Sequence, residues 1–238
     1  DGVALSTGLS FVDERMNGAQ LSMIGNVAGQ ADGAQISTGF NHAGRVNGVQ
    51  GAILNHAREV ELGAQLGVTN VSGNLRGAQL GLLNVGREVK GVQLGLFNFA
   101  RQADAAVGLL SITREGNVHP EVSTSDTANI HVGLRFPARY TYSFLDFAIQ
   151  PGGRGRGLAA GLGLGGRVRL PHALFLDIDL ASYAVFRGFH STVPNPMLKL
   201  RAMFGWQAFE RLALQVFQRD ADQLTACAYA RFCKELLQ

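Results

Sequence analysis

The sequence predicts an all-β fold, and three observations lead to this prediction. One short phrase is repeated six times between residues 18 and 100, polar and apolar residues alternate inside it, and a similar alternation continues through the second half of the chain. The clearest copies are Gly77–Asn84 (GAQLGLLN) and Gly91–Asn98 (GVQLGLFN). The copies share a glutamine that recurs every 14 or 15 residues, at Gln20, Gln35, Gln50, Gln65, Gln79 and Gln93. Such a period indicates one supersecondary unit that is used repeatedly.

Each copy has the two-residue period of a β-strand. In Gly77–Asn84, the side chains of Ala78, Leu80 and Leu82 fall on one face, and the small or polar residues between them fall on the other. A helix would tolerate the recurring glycines poorly. The repeats are therefore predicted to be strands with one apolar face.

Antiparallel pairing of successive strands fits this pattern. With Val85 opposite Val89 across a three-residue loop, aliphatic residues such as Leu82 and Val92 meet, and large side chains cover glycines. The regular spacing then predicts an up-and-down meander.

The second half of the chain abandons the phrase and keeps the alternation. Between the halves lies the longest polar segment, predicted to be a loop at residues 113–127. Strands are predicted where apolar residues take every second position: Ile130–Phe136, Tyr140–Ile149, Gly157–Val168, Leu174–Leu180, Leu198–Gln207, Arg211–Phe217 and Leu224–Cys233. Residues 1–238 are predicted to be one domain, with an N-terminal segment 1–16 (an extra strand or a plug), a repeat half 17–112 and a non-repeat half 128–238.

The composition limits the class of protein. Of the 238 residues, 46% are hydrophobic and only 16% are charged, whereas about a quarter is charged in a typical soluble domain. The net charge of +3 is too small to indicate nucleic acid as a partner. No apolar run is long enough for a transmembrane helix, and no signal peptide is visible at the first residue.

No metal, disulfide or cofactor site is predicted. Cys227 and Cys233 are six residues apart in one predicted strand, which holds them roughly 20 Å from each other. The histidines lack metal-ligand spacing, and there is no glycine-rich phosphate loop.

Strands with one apolar and one polar face fit two kinds of protein. In a soluble sandwich or solenoid the apolar face points inward, and in a transmembrane barrel it points outward to lipid. The polar face of the repeats carries Gly-Gln-Gly, which suits a confined wet lumen better than an exposed surface. We therefore predict an antiparallel up-and-down transmembrane β-barrel of about 14 strands, with 16 as the alternative count.

The alternative is a β-solenoid followed by a β-sheet domain. Each repeat would then form one coil of about 14 residues, with its glutamines and asparagines stacked in ladders. The regular Gln and Asn positions fit this alternative. However, so short a coil leaves little room for two strands and two corners, and the non-repeat half is not explained.

The barrel prediction implies a set of lumen-lining side chains. They are Gln20, Gln35, Gln50, Gln65, Gln79, Gln93, His131, Arg135, Asp177, Asp179, Lys199, Arg201, Arg211 and Arg231. The charged ones form either a pore constriction that sets ion preference or ion pairs that neutralise each other inside the wall. A hydrolytic pairing of His131 with Ser143 has no supporting motif, so no enzyme is predicted.

Two features of the sequence carry a family resemblance. The first is the repeated phrase G-[AV]-Q-[LI]-G-[LV]-x-N, and the second is a set of three later segments: Asn129–Arg135 (NIHVGLR), Phe144–Ile149 (FLDFAI) and Leu176–Leu180 (LDIDL). In both features the chain resembles the bacterial surface repeat-containing proteins over nearly its whole length. The resemblance implies a location at the bacterial outer membrane or cell surface. It implies no activity, because the family has no assigned catalytic residues.

These observations predict a porin-like outer-membrane protein, either a passive channel or a structural wall with a lumen lined by glycine and glutamine. Membrane lipid is the expected partner, and nucleic acid is not expected. The alternative function is a surface-exposed structural or adhesive repeat protein, a β-solenoid that binds a partner.

Overall fold

The computed structural model describes residues 2–116, 118–123, 130–150, 157–187, 194–209 and 212–220. These residues form sixteen strands, and the chain divides into two compact units. The first unit comprises Asp1–Val118 with Phe136–Ser143, and the second comprises His119–Arg135 with Phe144–Gln238. The described residues contain no helix that could span a membrane.

The first unit contains nine parallel strands that pair in chain order. Their bounds are β1 Gly2–Ser6, β2 Leu9–Ser22, β3 Gly25–Ser37, β4 Phe40–Gly51, β5 Leu54–Leu66, β6 Thr69–Leu80, β7 Leu83–Leu94, β8 Phe97–Val107 and β9 Leu110–Thr113. Each strand lies one repeat further along the chain than its neighbour, so Gln20 pairs with Gln35 and Gln50 pairs with Gln65. One repeat is therefore one coil of a parallel β-solenoid.

The predicted antiparallel transmembrane barrel is wrong, and the solenoid alternative describes the first unit. Val85 and Val89 were expected to face each other across a hairpin, but both lie in strand β7. Val85 pairs instead with Val71 and Phe99 of the neighbouring coils. Parallel stacking is the more stable arrangement because it places each amide side chain beside an identical amide with which it can form a hydrogen bond. Hairpin pairing would place each amide side chain beside a glycine.

Each coil folds into two legs that face each other. The side chain of Asn84, near the start of β7, donates a hydrogen bond to the backbone carbonyl of Leu94, at the end of β7, at 2.9 Å. The exposed residues Arg87 and Glu88 lie at one corner of this coil, and residues 95–96 lie at the other. Fourteen residues therefore suffice for two legs and two corners, because the legs are only a few residues long.

Aliphatic and small side chains fill the solenoid close to the charged corner. Together they form one buried cluster that contains Met16, Ala28, Ala31, Ala43, Val46, Ala57, Val60, Leu75, Val89, Ala103 and Ala106. The residues recur at fixed positions of the repeat, so each coil continues the core of the coil before it.

The glycine that opens each phrase is required for two reasons. Gly77 and Gly91 have φ angles of 132° and 143°, a region that residues with a Cβ rarely adopt. In addition, a Cβ on Gly77 would run into the carbonyl oxygen of Gly63 in the preceding coil. The glycines therefore set how closely the coils approach.

The segment Phe136–Ser143 covers backbone groups of the last coils. Thr141 Oγ1 accepts a hydrogen bond from the amide of Ala106 at 2.9 Å and donates one to its carbonyl at 3.0 Å. Ser143 Oγ accepts a hydrogen bond from the amide of Ser111 at 3.3 Å. These hydroxyl groups satisfy buried backbone at the coils where the repeat phrase fades.

A seven-stranded sheet provides most of the second unit, and its strands also follow one another in chain order. Their bounds are β10 His119–Ser123, β11 Ile130–Pro137, β12 Thr141–Gln150, β13 Gly157–Arg169, β14 Leu174–Arg187, β15 Asn195–Phe209 and β16 Leu212–Asp220. The pairs β10–β11, β13–β14, β14–β15 and β15–β16 are antiparallel. Strand β10 forms within the segment predicted to be a loop, and the predicted strand at residues 224–233 lies outside the described residues.

We expect Gly77→Ala to lower the free energy of unfolding by about 2–4 kcal/mol, since it combines backbone strain with a clash against the preceding coil. Urea titrations would measure the change. The matched control is Gly51→Ala, because a Cβ there meets only Ile36 Cγ1, at 3.9 Å. The control should leave stability unchanged or raise it by about 0.5 kcal/mol. Equal stabilities of the two variants would contradict the assigned role of Gly77.

Candidate functional site

The six predicted glutamines form one column of hydrogen bonds inside the solenoid. All six side chains are fully buried, and Nε2 of each glutamine after Gln20 donates to Oε1 of the glutamine in the preceding coil at 2.8–2.9 Å. At the N-terminal end, Gln20 donates to Ser10 Oγ at 3.1 Å. The glutamines are therefore contacts between coils.

A second column consists of the six asparagines that end the copies of the phrase: Asn26, Asn41, Asn55, Asn70, Asn84 and Asn98. Nδ2 of each of the first five donates to Oδ1 of the asparagine in the following coil at 2.8–3.0 Å. Asn98 closes the column on Ser111 Oγ at 3.1 Å. The regular recurrence of asparagine in the phrase is the signal that identifies this column.

The two columns donate in opposite directions along the solenoid. Glutamines donate to the preceding coil, and asparagines donate to the following coil. Each column accordingly ends in one buried oxygen, Gln93 Oε1 or Asn26 Oδ1, for which the described residues provide no hydrogen-bond partner. Gln93 pairs in register with Ala106, and Asn26 pairs in register with Ser10. Each column therefore ends next to a coil that has no amide side chain at the matching position.

Ionisable side chains occupy one face of the seven-stranded sheet, which we call the inner face. They are all buried: His131, Arg135, Asp146, Asp177, Asp179, Lys199 and Arg201. Within each strand these residues are separated by even numbers of positions, so they point to the same side of the sheet.

Asp177 is fully buried between two arginines. Arg135 Nη1 lies 2.7 Å from Asp177 Oδ2, and Arg167 donates to both carboxylate oxygens at 2.8 and 2.7 Å. Arg135 also donates to Glu121 at 3.0 Å. Because Arg135 is on β11 and Asp177 is on β14, the sheet must curl strongly to bring these side chains together.

Asp179 forms a second buried pair with Arg201 on the neighbouring strand. Arg201 donates to both oxygens of Asp179 at 2.7 and 3.1 Å, and its guanidinium lies 4.7 Å from the centre of the Phe144 ring. Burial alone would lower the pKa of Arg201, but the hydrogen bond and the charge of Asp179 raise this pKa above its ordinary value. Arg201 therefore keeps its positive charge.

Asp146 accepts hydrogen bonds from two buried side chains. Its Oδ2 lies 2.7 Å from His131 Nδ1 and 2.8 Å from the hydroxyl of Tyr183. Burial alone would raise the pKa of Asp146, but these hydrogen bonds and the nearby positive charges hold it below its ordinary value. Burial raises the pKa of Tyr183 far above its ordinary value, so the phenol remains a donor.

The opposite face of the sheet, which we call the outer face, is apolar. Its large side chains are 37–55% exposed and comprise Ile130, Val132, Leu134, Phe147, Ile149, Leu158, Leu162, Leu164, Ile178, Leu180, Leu200, Phe204 and Trp206. Among the described residues of β11 to β15, this face carries no ionisable side chain. The sheet thus has its charges inside and its aliphatic groups outside.

The predicted lumen-lining residues fall into two groups in different units. The glutamines form the column in the solenoid, and the ionisable residues between His131 and Arg201 lie on the inner face. Arg211 and Arg231, like Cys227 and Cys233, lie outside the described residues.

Four inner-face partners were not among the predicted residues: Glu121, Asp146, Arg167 and Tyr183. The two-residue alternation could have identified Asp146, which is flanked by Leu145 and Phe147. Glu121 was missed because it lies in the segment predicted to be a loop.

His131 and Ser143 form hydrogen bonds with different partners. His131 Nδ1 engages Asp146, whereas Ser143 Oγ accepts from the amide of Ser111. Among the described residues, no group of three or more histidine, cysteine, aspartate or glutamate side chains could hold a metal ion. The inner face is thus organised as ion pairs and hydrogen bonds.

No protein-family model, curated protein or solved structure matches this chain. Its own geometry defines the class: a β-rich repeat protein with stacked asparagine and glutamine ladders. Function has to be inferred from the contacts of its two units.

Gln65→Leu should lower the free energy of unfolding by about 2–4 kcal/mol, because it leaves Gln50 Oε1 without its donor and Gln79 Nε2 without its acceptor in the column. The matched control is Gln102→Leu, which makes the same exchange at an exposed position of β8. We expect the control to change stability by less than about 0.5 kcal/mol. Comparable losses in the two variants, measured by urea denaturation, would show that the column contributes nothing specific.

Asp177→Ala should cost about 3–5 kcal/mol of folding free energy, since two arginines lose a fully buried partner. The control is Asp104→Ala, which removes the surface pair with Arg139, whose side chains are 31% and 54% exposed. That change should cost less than about 1 kcal/mol. Denaturant titrations at pH 7 would compare the variants, and a small loss for Asp177→Ala would argue against a tightly coupled cluster.

Proposed function

We propose that this chain is a non-catalytic structural repeat protein of a bacterial cell surface, attached to a membrane by the outer face of its seven-stranded sheet. One observation carries the proposal: strands β11 to β15 point ionisable side chains inward and apolar side chains outward. A sheet that is dissolved in water does the reverse, because apolar burial is what stabilises it.

The extent of the outer face supports lipid as its environment. Thirteen large apolar side chains on five strands are at least 37% exposed. Soluble proteins rarely expose apolar patches larger than a few hundred square ångströms. In contact with acyl chains, the same side chains would be shielded from water, so the unfavourable hydration of their apolar surface would be avoided.

A groove in the outer face adds to this support. Small residues such as Ala160 and Ala184 leave an apolar depression of about 590 Å³ beside Leu145, Phe147 and Pro196. A depression with this lining accommodates a hydrocarbon chain without requiring a polar partner.

A structural role fits the inner face better than a passive channel or catalysis. The arginines of the inner face pair with Asp177 and Asp179, and the rings of Phe144 and Phe175 lie against arginines at 4.7 and 3.9 Å. These side chains are engaged with one another, which suits a structural role. His131, the residue best suited to acid–base chemistry, holds Asp146 at 2.7 Å.

The solenoid fits the role of a rigid spacer or binding module. Its coils are joined by two columns of side-chain hydrogen bonds as well as by the backbone ladder, so it resists bending. The resemblance of its phrase to the bacterial surface repeat-containing proteins supports the proposed location.

The single tryptophan of the chain provides a direct test, because Trp206 lies on the outer face and is 47% exposed. On mixing with phospholipid vesicles, we expect its fluorescence to shift to the blue, to be quenched by brominated acyl chains and to become protected from iodide. Introducing a charge beside it, as in Phe204→Arg two residues away on the same face of β15, should restore access of iodide, at a cost of about 2–4 kcal/mol in lipid contact. The matched control is Gln102→Arg, an exposed site in the solenoid, and it should leave the protection unchanged. Full access of iodide to Trp206 in the presence of vesicles would reject the proposal.

A further inference from the structure

We infer that the solenoid also contacts the lipid bilayer, through an apolar edge formed by the corners between successive strands. The corner residues are Met23, Ile24, Ile53, Val68, Leu82, Leu96 and Leu109, and the flanking leg residues are Leu9, Ile36, Leu54, Leu66, Leu80, Leu94 and Phe97. The corner side chains are 39–61% exposed. This inference rests on the proposed attachment of the second unit to a membrane.

The dimensions of the apolar edge suit shallow immersion. Successive coils are about 4.8 Å apart, so six steps from Met23 to Leu109 make a stripe of roughly 29 Å along the solenoid. On each leg the apolar positions extend two to four residues from the corner, or about 7–13 Å. Amphipathic elements at a membrane surface insert their apolar side by about 5–10 Å. The solenoid axis would then lie parallel to the membrane plane.

The charge distribution complements a lipid–water boundary. No ionisable residue occupies the apolar edge in the described coils. The opposite corner carries charged pairs, including Arg15 with Asp32 at 2.6 Å and Arg45 with Glu61 at 3.1 Å. Immersing the edge therefore removes aliphatic groups from water and leaves these charges hydrated.

The backbone at the apolar edge meets the strictest requirement of hydrocarbon, which is that amide groups be satisfied internally. Leu82 and Leu83 both donate to the carbonyl of Val68, at 3.0 and 2.9 Å, and Gly81 donates to Leu94 at 3.0 Å. The same pattern recurs at the corner of Val68 and Thr69, which both donate to Ile53. The N–H groups at these two corners therefore have no need of water.

Lipid suits this edge better than a protein partner does. Strand addition requires free backbone donors and acceptors, and the corner amides are already bonded to neighbouring coils. The corner side chains are apolar in every coil from Met23 to Leu109 except at Thr38–Gly39, and they lack the tyrosine, tryptophan and arginine anchors that dominate protein interfaces.

Tryptophan placement tests the inference in the full-length chain. In a Trp206→Phe background, Leu82→Trp places a single tryptophan on the apolar edge, and Arg87→Trp places it on the charged corner. With phosphatidylcholine–phosphatidylglycerol vesicles that contain brominated acyl chains, we expect the emission of Leu82→Trp to fall at least about twofold and to shift to the blue. Emission of Arg87→Trp should not change.

A parallel measurement on the native Trp206 separates this inference from the proposed function. Quenching of Trp206 without quenching of Leu82→Trp, or of the second edge variant Leu96→Trp, would overturn the inference and leave membrane attachment standing. If Trp206 is not quenched either, both the proposed attachment of the sheet and the lipid contact of the apolar edge would be rejected. A blue shift that appears without vesicles, together with a dimer in sedimentation, would assign the edge to a second copy and overturn the lipid assignment.

Discussion

A buried primary amide must be hydrogen-bonded, and this requirement governs the solenoid. Gln79 and Asn84 are enclosed by protein on every side, and each finds its partner in the same residue one coil away. The match requires neighbouring coils to stay in register and to approach to the spacing of a β-ladder, about 4.8 Å. Gly77 permits that approach, and the fixed repeat length maintains the register. Removing one buried amide interrupts a column of hydrogen bonds, whereas removing one exposed leucine leaves both columns intact.

The strands of the repeat half, and the face on which each side chain lies, could be predicted from the sequence. Leu80 points outward and Gln79 inward, as the two-residue period requires. Parallel or antiparallel pairing could not be read from that period, because both arrangements alternate in the same way. The recurrence of Asn and Gln at identical positions contained the missing information, because only in-register parallel stacking joins like amides. The shortness of the repeat argues against a coil only if its legs are long, and in this solenoid they span only a few residues.

In the second half of the chain, a different feature of the structure could not be predicted from the sequence. Alternation in Leu174–Leu180 and Leu198–Gln207 predicts strands and faces, and the pair Asp179–Arg201 follows from neighbouring strands. The contact between Arg135 and Asp177 does not follow, because two other strands separate them in the sheet. It depends on how strongly the sheet curls, and curvature is a property of the assembled strands rather than of any one segment. The face of Asp146 could have been predicted, because the two-residue alternation places it opposite the apolar side chains of Leu145 and Phe147.

The opposed donor directions of the two amide columns have a consequence for length. Each amide carries a dipole of about 3.5 D, and dipoles aligned head to tail in a single column would add with every coil, as they do in an α-helix. Here the glutamine dipoles point one way and the asparagine dipoles the other. Their sum stays close to zero however many coils are stacked. Duplication or loss of a whole repeat therefore leaves the contribution of the amide columns to the electrostatic potential at the ends of the solenoid nearly unchanged.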